Sequence, residues 1–469
     1  MKISQRGRGL IMARARGRVL VSVDVRAARL VSALMLLGVL GWLTVLAVLE
    51  HLGYDRLGPS RFGWSLALLA AVTLIARGIL LGRPVTAGHA MIAAATVGAG
   101  LFAHFLSFGL LGNILVAGSG LVLMSPTTAQ PQPELLEQVW PLVDATCADP
   151  LAPFAMHSSK SYHFNTDKTA AIAYRTRLGL AVVSGDPIGD VTQFDDLVVD
   201  FVRMCRSRGW QIIVLAGGER HLSLWRNETV GQPMLAVPVG RDVVVDVPDF
   251  TLTGRRFRNL RQAVQRTRNC GVTTEIVDEQ ELSDELIAEL TEVLYAAHRA
   301  ARSERGFCMN LDGALQGRYP GIKLAIARDR SGRVVAFHRY ATADNGSEVS
   351  LDVPFRRPDA PNGVDERLSV DMIADAKNQG ALRLSLAFAA FPEIFDATHP
   401  GPLQRVAYRL THLLDPLIRL ESLYRYLCKF HALSERRYVV LCAHHIPAAL
   451  MVLLSLEFMP RPRHLRLVR

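Results

Sequence analysis

Cysteine is scarce and badly spaced for a framework. Cys147, Cys205, Cys270, Cys308, Cys428 and Cys442 are scattered over 469 residues, with no CxxC pair and no Cys/His group at zinc-ligand spacing. This excludes a disulfide scaffold and a structural zinc site, and fits free thiols in a reducing compartment. His444 and His445 adjoin, but neighbouring side chains diverge on a helix or strand, so they make a poor metal site. HExxH and GxSxG are missing, and no Ser/His/Asp spacing suggests a nucleophilic triad. No metal and no cofactor is expected. A site without a nucleophile suits direct transfer, where an acceptor hydroxyl attacks an already activated donor; such chemistry needs positioning and charge stabilisation.

Acids are nearly absent from the first quarter of the chain. Residues 1–124 hold 12 Lys/Arg and 3 Asp/Glu, so most of the net charge of +10 belongs to them and the remaining body is close to neutral. Long apolar runs fill the same region. Ala27–Leu49 and about Phe62–Leu81 are each long enough to cross a bilayer, which takes about 20 residues. From His89 to Met124 there is no Asp, Glu, Lys or Arg. That stretch is too long for one span, and the turn-like 108–113 divides it into helices over about 89–107 and 110–126. About four transmembrane helices are therefore expected over 27–126. The basic N-terminus (1–26), with Arg77 and Arg83 between the second and third spans, points to the cytoplasmic side. An even count returns the rest of the chain there; a count of three would place it outside.

After a Pro/Gln/Thr-rich linker (127–134), the chain reads as mixed α/β. Thr169–Ser184 looks like two strands joined by a turn near Gly179, Asp195–Arg208 like a helix, and Trp210–Leu215 like a buried strand. Lys323–Tyr340 repeats the strand–turn–strand pattern, a weak internal repeat of one α/β unit. Between the copies lies Gly254–Cys270, with Arg255, Arg256, Arg258, Arg261, Arg266 and Arg268 and no acid. On a helix Arg255, Arg258 and Arg266 would share a face, with Arg261 and Arg268 nearby. Such a run suits a polyanion, either an RNA backbone or lipid headgroups; the plainer alternative is a solvated surface helix.

Further candidates stand nearer the C-terminus. Asp352, at the expected end of a strand, is followed by Arg356, Arg357, Asp359 and Asn362. A carboxylate beside guanidiniums suits an amine next to a phosphate, or a structural ion pair. Glu304 precedes Gly306, which also reads as a helix C-cap. Lys429 sits among aromatics, where a surface Lys snorkels. Gly185–Asp190 reads as a tight turn or a phosphate cradle. Ile446–Met459 is too short for a span; it could be core, an interfacial helix or a partner contact, and the basic tail Arg461–Arg469 could touch anionic headgroups.

In order along the chain, AIAYRTRLGLAVVSGDPIGD (171–190), ERGFCMN (304–310), VSLDVPFRRPDAPNG (349–363), LSLAFAAF (384–391) and ESLYRYLCKF (421–430) resemble the C-terminal domain of the phosphatidylglycerol lysyltransferase family. The similarity is strongest to the actinobacterial type, without the lysyl-tRNA synthetase that some members carry. The resemblance implies an N-terminal α-helical membrane domain followed by α/β, with two tandem GNAT-like acyltransferase folds (135–252 and 273–445) joined by a basic helix (253–272), and a C-terminal apolar segment (446–469). It implies aminoacyl-tRNA as donor, lysyl-tRNA the leading candidate, and phosphatidylglycerol as acceptor, at a multi-pass membrane protein whose catalytic body is cytoplasmic. It assigns catalytic roles to Asp352, Arg356, Glu304 and Lys429. Arg357, Asp359, Asn362, Glu421, Arg255, Arg258, Arg261 and Arg266 would bind substrate. Phe355 stands where the family usually has Arg, Ala432-Leu433-Ser434 replaces its Pro-x-Trp, and Arg436-Arg437 replaces Pro-Arg. Four spans are too few for the flippase part of larger members, so no flippase function is expected. The alternatives are an acetyl-CoA-dependent acyltransferase, which would show an [RQ]-x-x-G-x-[GA] pyrophosphate loop that the chain lacks, and a catalytically degenerate protein that binds lipid or tRNA.

Overall fold

The computed structural model describes residues 19–21, 25–51, 59–300, 309–390 and 420–457. They form two compact units: the residues up to 129 with 176–181 and 202–211, and the rest of the chain.

The first unit is built on apolar helices. A short ladder pairs β1 (Val19–Val21) with β2 (Val85–Thr86), and around it run α1 (Val25–His51), α2 (Pro59–Leu80), α3 (Ala87–Phe105) and α4 (Gly109–Leu123). Windows in the first three, Leu30–Leu49, Gly63–Leu80 and Ala87–Phe105, are long and apolar enough to cross a membrane. The expected break near residue 108 is present: Ser107 adopts φ +66° and ends one helix before the next begins. With 15 residues, α4 falls short of the ~30 Å apolar layer. It is nevertheless part of the bundle. A Cβ on Gly120 would lie 2.4 Å from the Ala71 carbonyl oxygen, and one on Gly112 would lie 2.8 Å from that of Gly100. Small residues let these backbones approach closely, and His104 Nε2 lies 3.0 Å from Asn113 Oδ1 across the helix pair.

The α/β part of the chain is organised on one twelve-stranded sheet. Its helices and strands, in chain order, are α5 (Leu136–Asp144), β3 (Ser161–Phe164), β4 (Ala170–Arg177), β5 (Leu180–Ser184), β6 (Ile188–Gly189), α6 (Phe194–Ser207), β7 (Gln211–Gly218), β8 (Met234–Asp246), α7 (Arg258–Asn269), β9 (Thr273–Asp278), α8 (Asp284–Ala300), β10 (Ile322–Arg328), β11 (Val334–Ala343), β12 (Glu348–Arg356), α9 (Val364–Asn378), β13 (Arg383–Ala390), α10 (Leu420–Cys428), β14 (Leu433–Cys442) and α11 (Ile446–Glu457). Strand order is β3-β4-β5-β7-β14-β8-β13-β12-β11-β10-β9, with β6 beside β4. Both expected hairpins are there. The β4–β5 turn uses Leu178 and Gly179, both at positive φ, the conformation a tight two-residue hairpin turn demands.

Two details of the sheet differ from the sequence reading, and both bear on the site. The last strand, β14, enters between β7 and β8 and pairs antiparallel with each, so the sheet runs unbroken through both expected α/β segments. Asp352 lies within β12, not at its end. The register against β11 slips there, Arg339 facing Val353 and Tyr340 facing Leu351, so Asp352 is the extra residue of a β-bulge. Beside it β12 and β13 run parallel but pair only over Glu348–Ser350 and Arg383–Ser385, and the sheet forks beyond.

The main core lies under α7 and α9. Val243, Val245, Val247, Leu260, Val264, Val349, Leu351, Leu368, Met372 and Ile373 are all buried in it, each stabilising by roughly 1.5–3 kcal/mol relative to exposure. A second cluster, Leu290, Val293, Leu294, Leu324, Ile326 and Phe337, packs α8 on the opposite face, with Phe355 against it.

Candidate functional site

Side chains alternate faces along a strand, so Asp352 and Arg356 should share one. The bulge breaks that alternation. Before it, Val349 and Leu351 face α9 and Asp352 faces the other side; after it, Phe355 packs toward α8 and Arg356 turns toward α9. The expected pairing of Asp352 with the arginines that follow it is thus not formed, and two charged networks occupy opposite faces.

On the α8 face, Asp352 is enclosed. Its side chain is 0% exposed, as is that of Arg339, which it meets at 2.9 Å. The other carboxylate oxygen accepts from the Leu311 amide at 2.8 Å. Arg339 also donates Nε and Nη2 to Glu279 Oε2 at 3.0 and 2.8 Å, beneath the Tyr319 ring. Burial pushes the Asp352 carboxyl up to about 6, although Arg339 and the Leu311 amide oppose the rise. Asp312, next in the chain after Leu311, takes bonds from the Ser158 amide and hydroxyl, Tyr319 and Arg318. Burial would raise it too, but His157 and the Ser158 and Tyr319 bonds outweigh burial and hold it at about 2. Burial lowers His157 itself to about 4.

On the α9 face, the acids of one helix start collect the cations. Gly363 takes φ +97° ahead of α9, and a Cβ there would meet the Ala263 backbone at 2.7 Å, so glycine is needed for α7 and α9 to approach. Asp365 receives Arg356 Nη1 at 3.0 Å and lies 3.2 Å from Nε2 of the buried His338. Burial would raise Asp365, but the bond from His338 and the nearby Arg356 guanidinium hold it low. The adjacent Glu366 is buried and pairs with Lys429. His338 Nδ1 continues to the Tyr340 hydroxyl at 3.2 Å, and thence to Ser369 and Tyr426. Arg356 and Lys429 thus each pair with one of two adjacent carboxylates, Asp365 and Glu366. A helix N-terminus attracts anions, and this one is already neutralised by two carboxylates of its own.

The remaining candidates fall elsewhere. Arg357 donates to Glu292 at 2.8 Å and to the Val334 carbonyl, while Asp359 receives Arg333 at 2.7 Å. Arg357 and Arg333 line a hollow of about 290 Å³ with Glu289 and Glu292. Asn362 is exposed. Arg258 and Arg266 project from the exposed side of α7, whose other side buries Leu260, Ala263, Val264 and Thr267. Arg255 precedes the helix and does not share its face by helical geometry. Arg261 is half-buried and holds the Leu252 and Gly254 carbonyls at 2.6 and 2.7 Å, so it shapes the entry to the helix. Among the described residues Arg255, Arg258, Arg266 and Arg268 meet no carboxylate. Glu304 lies outside the described residues, and Glu421 is placed only by its backbone, in α10.

Three groups were missed by the sequence reading. Arg339 and His338 stand inside an apolar strand, VVAFHRYATA; charged or polar groups there must be paired when buried, and that was the available signal. Arg437 was noted only as a departure. It is buried in β14 and reaches Asp149 and Asp242 at 2.7 Å and Asp186 at 3.3 Å. The three carboxylates raise its already high pKa against the opposing effect of burial. Asp186 also accepts the Gly218 amide, so the Gly185–Asp190 segment is a buried acidic turn and not a phosphate cradle.

The model of the phosphatidylglycerol lysyltransferase C-terminal domain matches residues 141–441. The chain belongs to this family. It is 61% identical over 453 residues to the MprF-like domain protein Rv1619 of Mycobacterium tuberculosis, covering 96% of this chain and 94% of that protein. It is 33% identical over 281 residues to the lysylphosphatidylglycerol biosynthesis bifunctional protein LysX of Mycobacterium avium, but spans only 23% of that protein. Among solved structures, the fold is similar to that of the C-terminal domain of a candidate lysylphosphatidylglycerol synthetase from Agrobacterium fabrum (TM-score 0.59, 23% identity, 70% of this chain and 97% of that one). It is also similar to that of L-PGS from Bacillus licheniformis (TM-score 0.57, 19% identity, 71% and 98%). The lysyltransferase family is one of transferases, and the fold here carries the bulge, the fork and the two ion-pair networks.

Proposed function

We propose that this lysyltransferase-family chain moves an aminoacyl group, lysyl in the leading case, from aminoacyl-tRNA to a glycerol hydroxyl of phosphatidylglycerol. In balance, the hydroxyl oxygen attacks the ester carbonyl, the carbonyl–ribose oxygen bond breaks, and the hydroxyl proton ends on the released ribose. No cofactor is consumed. We read the sheet as two acyltransferase-like halves with α7 between them, and the fork of β12 and β13 as the place where donor and acceptor meet.

The observation that carries this reading is the family match over 141–441. Against acetyl-CoA chemistry stands the acidic first turn of α9, Asp365 and Glu366, which would repel a pyrophosphate at that helix start. Arg356 is half-exposed and Lys429 partly so; both would exchange a carboxylate for lipid phosphate or the developing oxyanion. Asp352, fully enclosed with Arg339, would position the loop at Leu311 and Asp312 rather than grip an ammonium itself. Glu304 as a catalytic candidate and Glu421 as a substrate-binding one rest on the sequence resemblance alone. The exposed arginines of α7, Arg258 and Arg266, with Arg255 ahead of it, would meet the tRNA backbone. Counting α4 as a fourth, shortened span, supported by its close packing on α2 and α3, returns the α/β body to the cytoplasm, where charged tRNA is found.

Full-length protein in phosphatidylglycerol nanodiscs, supplied separately with radiolabelled lysyl-tRNA and acetyl-CoA, tests the donor. Label entering lipid from lysyl-tRNA, and abolished by ribonuclease, is expected. Label entering lipid only from acetyl-CoA would replace this reading with the acetyltransferase one.

A further inference from the structure

Helix α11 is left unused by the proposed chemistry. Its sequence, IPAALMVLLSLE, carries no charge before its last residue. Ala449, Val452 and Leu456 are buried, whereas Ile446, Leu450, Met451 and Leu454 are 40–58% exposed. At 100° per residue the buried three centre on one side, and Leu450, Met451 and Leu454 lie opposite. A half-buried helix in water turns polar residues outward; this one turns out large apolar ones. Its 12 residues reach about 18 Å, too short for the ~30 Å apolar layer, so it does not span. Leu235 and Val237 of β8, paired with Leu441 and Val439 of β14, the strand that leads toward α11, are also exposed. Residues 458–469 hold Arg461, Arg463, Arg466 and Arg469 and no acid.

We propose that α11 is a second membrane contact, lying in the plane of an anionic leaflet. Leu450, Met451 and Leu454 would sit at the acyl boundary. Three observations select lipid over a protein partner. The chain carries three helices of bilayer length, so a bilayer is at hand. Among the side chains described, the exposed face of α11 offers no polar or charged group with which a soluble partner would set register. The sequence that follows it is basic, the sign that anionic headgroups attract. The proposal rests on membrane attachment and not on aminoacyl transfer.

The test uses full-length protein in phosphatidylglycerol-containing nanodiscs doped with a photoactivatable phospholipid whose reactive group lies near the headgroup end of the acyl chain. Peptide mass spectrometry locates the adducts. Adducts on 446–454, alongside those on the spans, are expected. In the double variant Leu450→Glu, Leu454→Glu, both exposed positions, the α11 adducts should fall by roughly tenfold while those on Leu30–Leu49 persist. Adducts confined to the spans, or crosslinks joining α11 to a second copy of the chain, would overturn the proposal. Because the readout is lipid contact and not turnover, an inactive protein still tests it.

Discussion

Arg339 shows how much of this site is held by burial. It is a guanidinium with no exposed surface between two carboxylates, and removing either partner would leave a buried charge uncompensated, at a cost on the order of 3–5 kcal/mol. Asp352 bears the strain of that arrangement, since its carboxyl is held at about 6 in the fold against ~3.9 unfolded. The folded state therefore binds more protons than the unfolded state between about pH 4 and 6, and this group's stabilising contribution is lost as pH rises through that window. His157 does the reverse. Held at about 4 when folded against ~6.5 unfolded, it makes stability rise with pH over much of the same range. The two oppose one another in the wild type. Asp352→Asn removes one side, so its thermal midpoint should climb more steeply between pH 4 and 6 than that of the wild type. Superimposable pH profiles would show that Asp352 does not titrate there. None of this could be read from sequence, because a bulge in β12 has no residue signature in SLDVPFRR and decides which face Asp352 takes.

At the scale of elements, the sequence was most informative where a periodic pattern met a turn. The β4–β5 and β10–β11 hairpins, α6 and the apolar helices all lie within a few residues of their expected bounds. The Arg-rich run was legible as a helix but not at its start, because the Thr253–Phe257 approach is fixed by Arg261 reaching back to the Leu252 and Gly254 carbonyls. What α7 offers to a polyanion is thus Arg258, Arg266 and Arg268, with Arg255 ahead of the helix. Reversing Arg258→Glu and Arg266→Glu together should leave stability within about 0.5 kcal/mol, since both are exposed. Transfer-RNA binding should weaken by tenfold or more and its salt dependence flatten by about two phosphate contacts. Filter binding across a salt series reads both. An unchanged slope would return α7 to an ordinary solvated helix.

At the scale of the molecule, sequence order and spatial order part company. The chain segments 135–252 and 273–445 looked like consecutive units, yet β14, from the end of the second, completes the sheet between β7 and β8 of the first. Arg437 fixes it there through Asp149, Asp186 and Asp242, residues more than 190 positions away in sequence. No local pattern reports such a pairing, because the buried partners are single aspartates in unrelated segments. The family resemblance, by contrast, was legible from five short blocks, and the match over 141–441 bears it out. Its central consequence is chemical. A host that makes no aminoacylated lipid, expressing the full chain, should yield a lipid extract with a new species at the mass of lysyl-phosphatidylglycerol, and Asp352→Asn should reduce it by tenfold or more. A lipid profile identical to that of the empty host, with the protein folded and in the membrane, would contradict the account.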